Sequence, residues 1–235
     1  KHLAKGSLNL GGLKVLVLDE ADRMLDMGFH DSIMDVVNQM PARRQTLLFS
    51  ATFSPEIRSL SSRFQRDPVT VTVADAPETV KITQIFHEVD NRERVNVLAT
   101  VLRHHKPESA VLFCNTKVRC EEVVTALSAK GFQVASLHGD LEQRERDLVL
   151  VKFSNRSCPV LVATDVAARG LDIKDLSMVV NVEMAFDPEV HVHRIGRTGR
   201  AGQSGLAVSL CAPAEGHRVT AIEEYQSIKA DWQPV

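Results

Sequence analysis

The sequence predicts an α/β fold in which parallel strands are covered by helices on both faces. Short apolar runs rich in Val, Ile and Leu recur along the 235 residues, and amphipathic stretches of helical length separate many of them. A strand buried on both faces needs such a continuous apolar run, because neither face meets water. Apolar residues make up 44% and charged residues 25% of the chain, which excludes disordered, collagen-like and coiled-coil proteins.

Each predicted element rests on such a pattern. Eight apolar runs predict strands at Val15–Leu18, Thr46–Phe49, Val69–Val73, Ala110–Phe113, Val134–Leu137, Val160–Ala163, Met178–Val182 and Gly205–Leu210. Helical periodicity predicts helices at Phe29–Met40, Glu56–Arg63, Arg92–Arg103, Val118–Lys130 and Gln143–Phe153. In the helix at 118–130 the apolar positions i, i+3, i+4 and i+7 form one stripe, and Gly131 ends the helix.

The chain divides at a short linker. Residues 75–81 show no periodicity and carry Pro77 between small and acidic residues. Residues 1–74 then hold about three strands and resemble the C-terminal part of a domain. Residues 82–235 hold enough strands and helices for a complete α/β domain.

Charge and composition limit the partners. The 28 Lys and Arg and the 30 Asp and Glu give a net charge of −2, so only a local cluster could attract a polyanion. The four cysteines form no Cys-x-x-Cys pair, which argues against zinc and disulfides and for a reducing cytoplasm. No apolar run is long enough to span a membrane, and no secretory signal is visible.

Three carboxylates follow the first predicted strand. Asp19, Glu20 and Asp22 come directly after Val15–Leu18, where an open α/β sheet exposes its binding crevice. An Asp at this place typically holds Mg²⁺ through water, and the neighbouring Glu can deprotonate an attacking water. The alternative is that Asp19 or Asp22 caps the following helix.

Two hydroxyls follow the next strand. Ser50 and Thr52 flank Ala51 after Thr46–Phe49. Hydroxyls at this edge can relay hydrogen bonds between neighbouring loops, although Ser and Thr at strand-to-helix junctions are often only caps.

An arginine and glycine segment near residue 200 is the most informative part of the chain. Between Val190 and Ala214 there are three arginines and no acid, which makes this the local cationic cluster. Arg197 and Arg200 lie between glycines, so their guanidinium groups can approach a polyphosphate and bind it bidentately. A solvated basic loop is the plain alternative, and His191 with His193 could form a metal pair, although no third ligand follows.

Polar turns follow two further strands. Thr164 and Asp165 end one strand and can offer backbone amides to a phosphate, while Asp172, beyond Gly170, can accept a hydrogen bond from a sugar hydroxyl. Gly139 and Arg146 belong to the analogous turn one unit earlier, where Arg146 could reach a phosphodiester or be a plain surface residue.

Taken in order, these segments resemble the DEAD-box ATP-dependent RNA helicases over essentially the whole chain. The segments are Asp-Glu-Ala-Asp at 19–22, Ser-Ala-Thr at 50–52, Leu-Phe-Cys-Asn-Thr-Lys at 112–117, His-Gly at 138–139, Gln-x-x-Arg at 143–146, 164–172, and His-Arg-Ile-Gly-Arg-Thr-Gly-Arg at 193–200. Within the family, the wording at 19–29, 113–117, 138–146 and 187–197 is similar to the rRNA-directed bacterial members.

The resemblance implies two RecA-like domains, the first represented by its C-terminal part and the second complete, which bind ATP, Mg²⁺ and RNA as a cytoplasmic monomer. It places Asp19 at Mg²⁺ and Glu20 at the attacking water, and it makes Asp22, Ser50, Thr52 and His193 a network coupling ATP hydrolysis to RNA. It places Gly170, Asp172, Arg197 and Arg200 at the nucleotide. The implied RNA contacts are Thr116, Gly139, Arg146 and Thr164.

One departure from the family's pattern leaves other functions open for this chain. The glycine-rich phosphate loop with its Lys does not occur in these residues, so we expect the 235-residue chain alone to bind ATP poorly and not to hydrolyse it. A non-catalytic RNA clamp or interaction module is therefore an alternative. A DNA helicase or translocase of the same superfamily fits Asp22 and the Ser-Ala-Thr wording less well.

Overall fold

A computed structural model describes residues 5–26, 28–50, 52–72, 82–168, 176–199 and 204–235. The chain divides into two compact units, Lys1–Ala74 and Asp75–Val235. The predicted linker at 75–81 lies outside the described residues. None of the helices within the described ranges is long and apolar enough to cross a membrane.

The first unit contains a two-stranded parallel sheet and three helices. Strand β1 (Val15–Leu18) pairs in register with β2 (Gln45–Leu48). The helices are α1 (Ala21–Asp26), α2 (His30–Asn38) and α3 (Pro55–Phe64). One core joins these elements, with Leu16, Leu18, Ile33, Val37, Leu60 and Phe64 buried together.

Local sequence explains where α3 begins. The Ser54 hydroxyl caps the helix by accepting a hydrogen bond from the Ile57 amide at 3.4 Å, and Pro55 occupies the first helical position, where no amide hydrogen is needed. Ile57, Leu60 and Phe64 then fall on one face and are buried, so packing fixes the helix on the sheet.

The second unit is built on a seven-stranded sheet in the order β5-β6-β4-β7-β8-β3-β9, and all its pairs are parallel. The strands are β3 (Ile82–Glu88), β4 (Ala110–Cys114), β5 (Val134–Leu137), β6 (Val160–Thr164), β7 (Met178–Asn181), β8 (Gly205–Cys211) and β9 (Asp231–Trp232). The helices are α4 (Arg94–His105), α5 (Lys117–Ala129), α6 (Gln143–Ser154), α7 (Asp165–Ala168), α8 (Pro188–Ile195) and α9 (Gly216–Gln226), with a 3-10 turn at Pro213–Glu215.

Strand β4 lies in the middle of this sheet and is buried along its whole length. Successive side chains point to opposite faces, so Leu112 packs with Val162 and Val180 on one face, while Val111 packs with Leu161 and Val179 on the other. Two apolar cores, one on each face, confirm the predicted parallel sheet covered on both sides.

The structure corrects one predicted strand and adds two, β3 and the short edge strand β9. Residues 69–72 form no strand, and Val69 and Val71 are 87% and 81% exposed. Their alternating Val and Thr pattern suits a strand, but no described strand of the first unit pairs with it. Strand β3 was not predicted because Gln84 and His87 interrupt its apolar pattern.

Candidate functional site

The acidic turn after β1 exposes two carboxylates. Asp19 and Glu20 are exposed, and the Asp19 Oδ1 atom accepts a hydrogen bond from the Glu20 amide at 2.9 Å. Glu20 has a φ of 49°, in the left-handed region that costs a residue with a Cβ about 1 kcal/mol. The turn therefore places both carboxylates at the strand end in a backbone conformation under local strain.

Asp22 lies beneath this turn and is only 7% exposed. Its Oδ2 atom accepts two hydrogen bonds from Thr52, at 2.8 Å from the amide and 3.2 Å from the hydroxyl. The Asp22 amide in turn donates to the Ser50 hydroxyl at 3.2 Å. Residues 30 positions apart are thus joined, so the Asp22 carboxylate does more than cap α1.

Strand pairing brings the two turns together. The Phe49 amide donates to the Leu18 carbonyl at 2.8 Å, and the Ala21 amide donates to the Phe49 carbonyl at 3.1 Å. The pairing of β1 with β2 therefore continues past both strand ends and delivers the two turns to one edge. We call this set the first-unit edge: Asp19, Glu20, Asp22, Ser50 and Thr52.

The exposed carboxylates of the first-unit edge suit a magnesium ion bound together with a nucleotide. Within the described part of the chain, no three His, Cys, Asp or Glu side chains are grouped to hold a metal alone. Mg²⁺ is commonly bound by one or two carboxylates together with substrate phosphates and water. Asp19 and Glu20 supply such carboxylates, so the residues fit the ion.

In the second unit, three candidate residues follow adjacent strands. Thr116, Gly139 and Thr164 stand at the ends of β4, β5 and β6, which are neighbours in register. Thr116 also caps α5, because its hydroxyl accepts from the Arg119 amide at 3.1 Å. These turns share one edge of the sheet, which we call the second-unit edge: Thr116, Gly139, Arg146 and Thr164.

Arg146 joins this edge through a backbone contact. Its Nη2 atom donates to the Ala167 carbonyl at 2.7 Å, in the short helix α7 that follows Thr164. The side chain is half-buried, so it is not the freely solvated surface arginine of the plain alternative.

Polar side chains pair across the second-unit edge. Lys117 Nζ lies 2.5 Å from Asp140 Oδ2, and His138 Nε2 lies 2.6 Å from Glu121 Oε1. The hydrogen bond from Lys117 holds the pKa of Asp140 below its ordinary value. Hydrogen bonds from the Ser136 hydroxyl and then from His138 lower the pKa of Glu121. These contacts link the turns after β4 and β5.

Helix α8 carries the two histidines of the arginine and glycine segment, and they have different surroundings. His191 is buried, and its Nε2 atom lies 3.1 Å from Gln84 Oε1. Burial, with a smaller contribution from Arg194, lowers the pKa of His191 to about 4. His193 is partly exposed and lies 3.9 Å from Glu189. The two rings therefore do not form the metal pair considered from sequence.

Arg194 is the site residue that sequence reasoning missed. It is 2% exposed, and its five N–H donors are all used, in a fork on Asp165 (2.7 and 2.8 Å) and in bonds to Asn115 (2.8 Å), Asn181 (3.2 Å) and the Glu183 carbonyl (2.8 Å). Its charge is thus neutralised inside the unit. The local cationic cluster predicted from three arginines consequently does not include Arg194.

The remaining nucleotide candidates are only partly described. Arg197 follows α8 and is half-buried, and its carbonyl accepts from the Leu176 amide at 3.3 Å. Gly170, Asp172 and Arg200 lie outside the described residues. Their roles remain predictions from the sequence.

Family models match both units. The model for DEAD/DEAH box helicases matches residues 1–60, and the model for the helicase conserved C-terminal domain matches residues 93–202. The structure also resembles the C-terminal domain of the DEAD-box protein Dbp5, with 32% identity, 67% of this chain and 92% of that chain covered, and a TM-score of 0.62. The chain belongs to the DEAD-box family of helicases, and its α/β class with RecA-like units is confirmed.

Two further similarities span nearly the whole chain. The ATP-dependent RNA helicase DbpA of Escherichia coli (strain K12) is 55% identical over 99% of this chain and 51% of the relative. S. cerevisiae Dbp5 bound to RNA and ADP BeF3 is 31% identical with a TM-score of 0.87, covering 99% of this chain and 62% of that chain. The chain spans about half the length of the curated relatives it matches.

Proposed function

We propose that the chain belongs to an ATP-dependent RNA helicase that hydrolyses ATP when RNA binds and locally melts short RNA duplexes. The observation that carries the proposal is the bonding of Asp22 to Ser50 and Thr52, because it joins the acidic turn to a second turn about 30 positions along the chain. Family membership and the RNA helicase name of the E. coli relative support the same activity.

In the first unit we assign the hydrolytic step to the exposed carboxylates. Asp19 holds Mg²⁺ through water, and Glu20 orients the attacking water and accepts its proton. When bound, Mg²⁺ supplies positive charge to the β- and γ-phosphates of ATP. We assign Asp22, Ser50 and Thr52 to the network that makes hydrolysis depend on RNA, and we assign His193 of the second unit to the same role.

In the second unit we assign Arg197 and Arg200 to the γ-phosphate, because a guanidinium binds phosphate oxygens bidentately and remains charged as negative charge develops. We assign Asp172 to the ribose hydroxyl and Gly170 to close approach of the backbone to the nucleotide. Because the charge of Arg194 is neutralised inside the unit, we assign phosphate binding to Arg197 and Arg200.

The second-unit edge is proposed to bind the RNA backbone. Thr116 and Thr164 provide hydroxyls, Gly139 allows close approach, and Arg146 provides the remaining donors of its guanidinium to a phosphodiester. Aromatic residues form 5% of the chain, so stacking on bases contributes less than backbone contacts.

We further propose that the RNA is rRNA in ribosome assembly, and that the protein is a cytoplasmic monomer. The sequence similarity to rRNA-directed members at residues 19–29, 113–117, 138–146 and 187–197 supports the target. The proposed domains are residues 1–74 and 82–235, joined by a linker at 75–81.

Reading the genomic DNA upstream of the codon for Lys1 tests whether a Gly-Lys-Thr phosphate loop precedes it in frame.

The 235 residues contain no Gly-x-x-x-x-Gly-Lys-Ser/Thr loop, which favours a second candidate function for this chain alone, a non-catalytic RNA clamp. Its RNA edge lies within one unit, whereas its phosphate cradle is missing. We expect the purified chain to bind RNA without hydrolysing ATP. A clear RNA-stimulated ATPase rate from this chain would refute that expectation.

The decisive experiment measures RNA-stimulated phosphate release in a protein that joins these residues to an intact phosphate loop. Glu20→Gln should abolish turnover and leave ATP binding unchanged, because it removes the proton acceptor and keeps the shape of the side chain. Comparing RNA with DNA as the stimulant distinguishes the RNA helicase from a DNA translocase. Unchanged turnover in the Glu20→Gln protein would remove Glu20 from its assigned role.

A further inference from the structure

We propose that Arg194 is a positioning residue that holds Thr116 and Thr164 in the arrangement required to bind RNA. The inference rests on the proposed function, because it takes the second-unit edge as the RNA contact. Arg194 itself is buried and would not touch the RNA. It acts through the residues next to the two threonines.

One guanidinium bridges the two turns. Arg194 Nη2 donates to Asn115 Oδ1 and to Asp165 Oδ2, both at 2.8 Å, and Nε donates to Asp165 Oδ1 at 2.7 Å. Asn115 directly precedes Thr116, and Asp165 directly follows Thr164. Because β4 and β6 are paired neighbours, the guanidinium sets the spacing of their two turns.

A second path closes the same arrangement. The Arg194 Nη1 atom donates to the Glu183 carbonyl at 2.8 Å, while the Glu183 carboxylate accepts from the Asn115 amide at 2.8 Å. Both the side chain and the backbone of Asn115 are therefore fixed relative to Arg194. The turn that ends in Thr116 has little freedom to shift.

The position of Arg194 in α8 links this support to the nucleotide candidates. His193 precedes it directly, and Arg197 follows three positions later, with its amide donating to the Arg194 carbonyl at 3.2 Å. Any movement of α8 must displace the guanidinium or carry the turns with it. Arg194 thus connects the proposed nucleotide contacts to the proposed RNA contacts within one unit.

Lysine cannot replace this arginine. A lysine ammonium keeps the positive charge for Asp165 but offers three donors from one nitrogen, so it cannot reproduce the five bonds that Arg194 makes from three nitrogens to Asp165, Asn115, Asn181 and the Glu183 carbonyl. Arg194→Lys therefore keeps a positive charge beside Asp165 but weakens the bridge between the two turns.

The second unit also provides a matched control. Arg94 is likewise 2% exposed, and it donates to the Val182 carbonyl at 2.7 Å and to Glu215 at 2.5 Å. These partners follow β7 and precede α9, so Arg94 does not bridge the turns that carry Thr116 and Thr164. Arg94→Lys should disturb packing to a similar degree without moving the second-unit edge.

The test compares both Lys variants with the unchanged 235-residue chain. Hydrogen exchange followed by mass spectrometry should show faster exchange at residues 115–119 and 164–168 in Arg194→Lys, and not in Arg94→Lys. Affinity for a fluorescein-labelled single-stranded oligoribonucleotide, measured at fixed low salt, should fall about tenfold in Arg194→Lys, as expected when a buried donor loses its partner. Arg94→Lys should retain the affinity.

A second variant, Asn115→Ala, keeps the test valid if the Arg194→Lys chain does not fold. Asn115→Ala keeps both bonds of Arg194 to Asp165 and removes the bridge, together with the bond from Asn115 Nδ2 to the Met184 carbonyl at 3.0 Å, so it should weaken RNA binding in the same direction. Equal loss of affinity in the Arg194→Lys and Arg94→Lys chains, or unchanged exchange at 115–119 in Arg194→Lys, would overturn the positioning role. If the unchanged chain binds RNA and Thr116→Val binds it equally well, the proposed RNA edge fails, whereas the exchange result still decides the role of Arg194.

Discussion

In both the first-unit edge and the second-unit edge, polar residues that are exposed or half-buried are held by one buried charged residue. In the first unit the buried residue is Asp22, which bonds to the uncharged groups of Ser50 and Thr52. In the second unit it is Arg194, which bonds to the Asp165 carboxylate and to three further acceptors. The other residues of each edge take part in the proposed reaction or in RNA binding, and the buried residue, Asp22 or Arg194, fixes their positions.

The difference between the two edges lies in how tightly they are held. Arg194 forms an ion pair with Asp165 and bonds to three further acceptors inside a seven-stranded sheet, whereas the bonds that join Asp22 to Ser50 and Thr52 lie beside a two-stranded sheet. A hydrogen bond between neutral groups, or to one charged group, contributes little to the free energy of unfolding. Removing one partner of a buried ion pair lowers that free energy by more. We therefore expect the second-unit edge to be the more rigid of the two.

The largest expected effect comes from removing the buried charge of the second unit. Arg194→Met leaves Asp165 without its partner and should destabilise the unit by about 3–5 kcal/mol. Urea unfolding followed by the fluorescence of Trp232, the single tryptophan of the chain, reports this unit. Asp165→Asn in the same chain should restore part of the loss, because it removes the unpaired charge; a double variant with fully additive losses would contradict the pairing.

The next effect is a pH dependence specific to the second unit. Because burial lowers the pKa of His191 to about 4, the unfolded chain binds a proton near pH 6.5 that the folded chain does not. The stabilisation is complete above pH 6.5 and is lost as the pH falls toward 4, at most about 3.5 kcal/mol at about 1.4 kcal/mol per pKa unit. Urea midpoints of the Trp232 signal at pH 7 and pH 4.5 measure it. His191→Gln should flatten this slope, and an equally steep slope in that variant would assign it to other groups.

A smaller effect is expected in the first unit. Thr52→Val removes the hydroxyl bond to Asp22 and keeps the amide bond, so it should cost about 1 kcal/mol. Since Trp232 lies in the other unit, hydrogen exchange of the β2 and α3 amides is the suitable measurement. Faster exchange in the second unit as well would show that the two edges are not independent in stability.

The smallest effect belongs to the exposed pair of the second-unit edge. More than half of each side chain of Lys117 and Asp140 is exposed, and surface ion pairs contribute little to stability. Lys117→Ala should leave the urea midpoint of the Trp232 signal unchanged. A clear decrease would mean that the pair, and not Arg194, holds the edge together.

Much of the fold was predictable because its information is local. Strand β4 and its neighbours are continuous apolar runs, which is the pattern of a sheet buried on both faces. Strand β3 was not predicted from the sequence, because Gln84 and His87 are polar and their hydrogen-bond partners Gln226 and Gln233 lie far along the chain. Residues 69–72 show the opposite case, a strand-like pattern without a pairing partner among the described residues.

The candidate site divides in the same way. The ordered motifs located Asp22, Ser50 and Thr52, and the structure brings them together. The inward direction of Arg194 depends on Asp165 and Asn115, which are 29 and 79 positions away, so the sequence counted it in the local cationic cluster and gave it no role of its own. A signal was available in the helical spacing, because Arg194 lies three positions after the buried His191 on the same face of α8.

The central claim, that the second-unit edge binds the RNA backbone, is tested most directly by nuclear magnetic resonance. Titrating a short single-stranded oligoribonucleotide into the isotope-labelled 235-residue chain should shift the amide signals of Thr116, Gly139, Arg146 and Thr164 together. The amide signals of Gly131 and Ser109, at the opposite ends of the strands, should not move. Shifts confined to other surfaces, or no shift at the second-unit edge while the RNA is bound, would contradict the account.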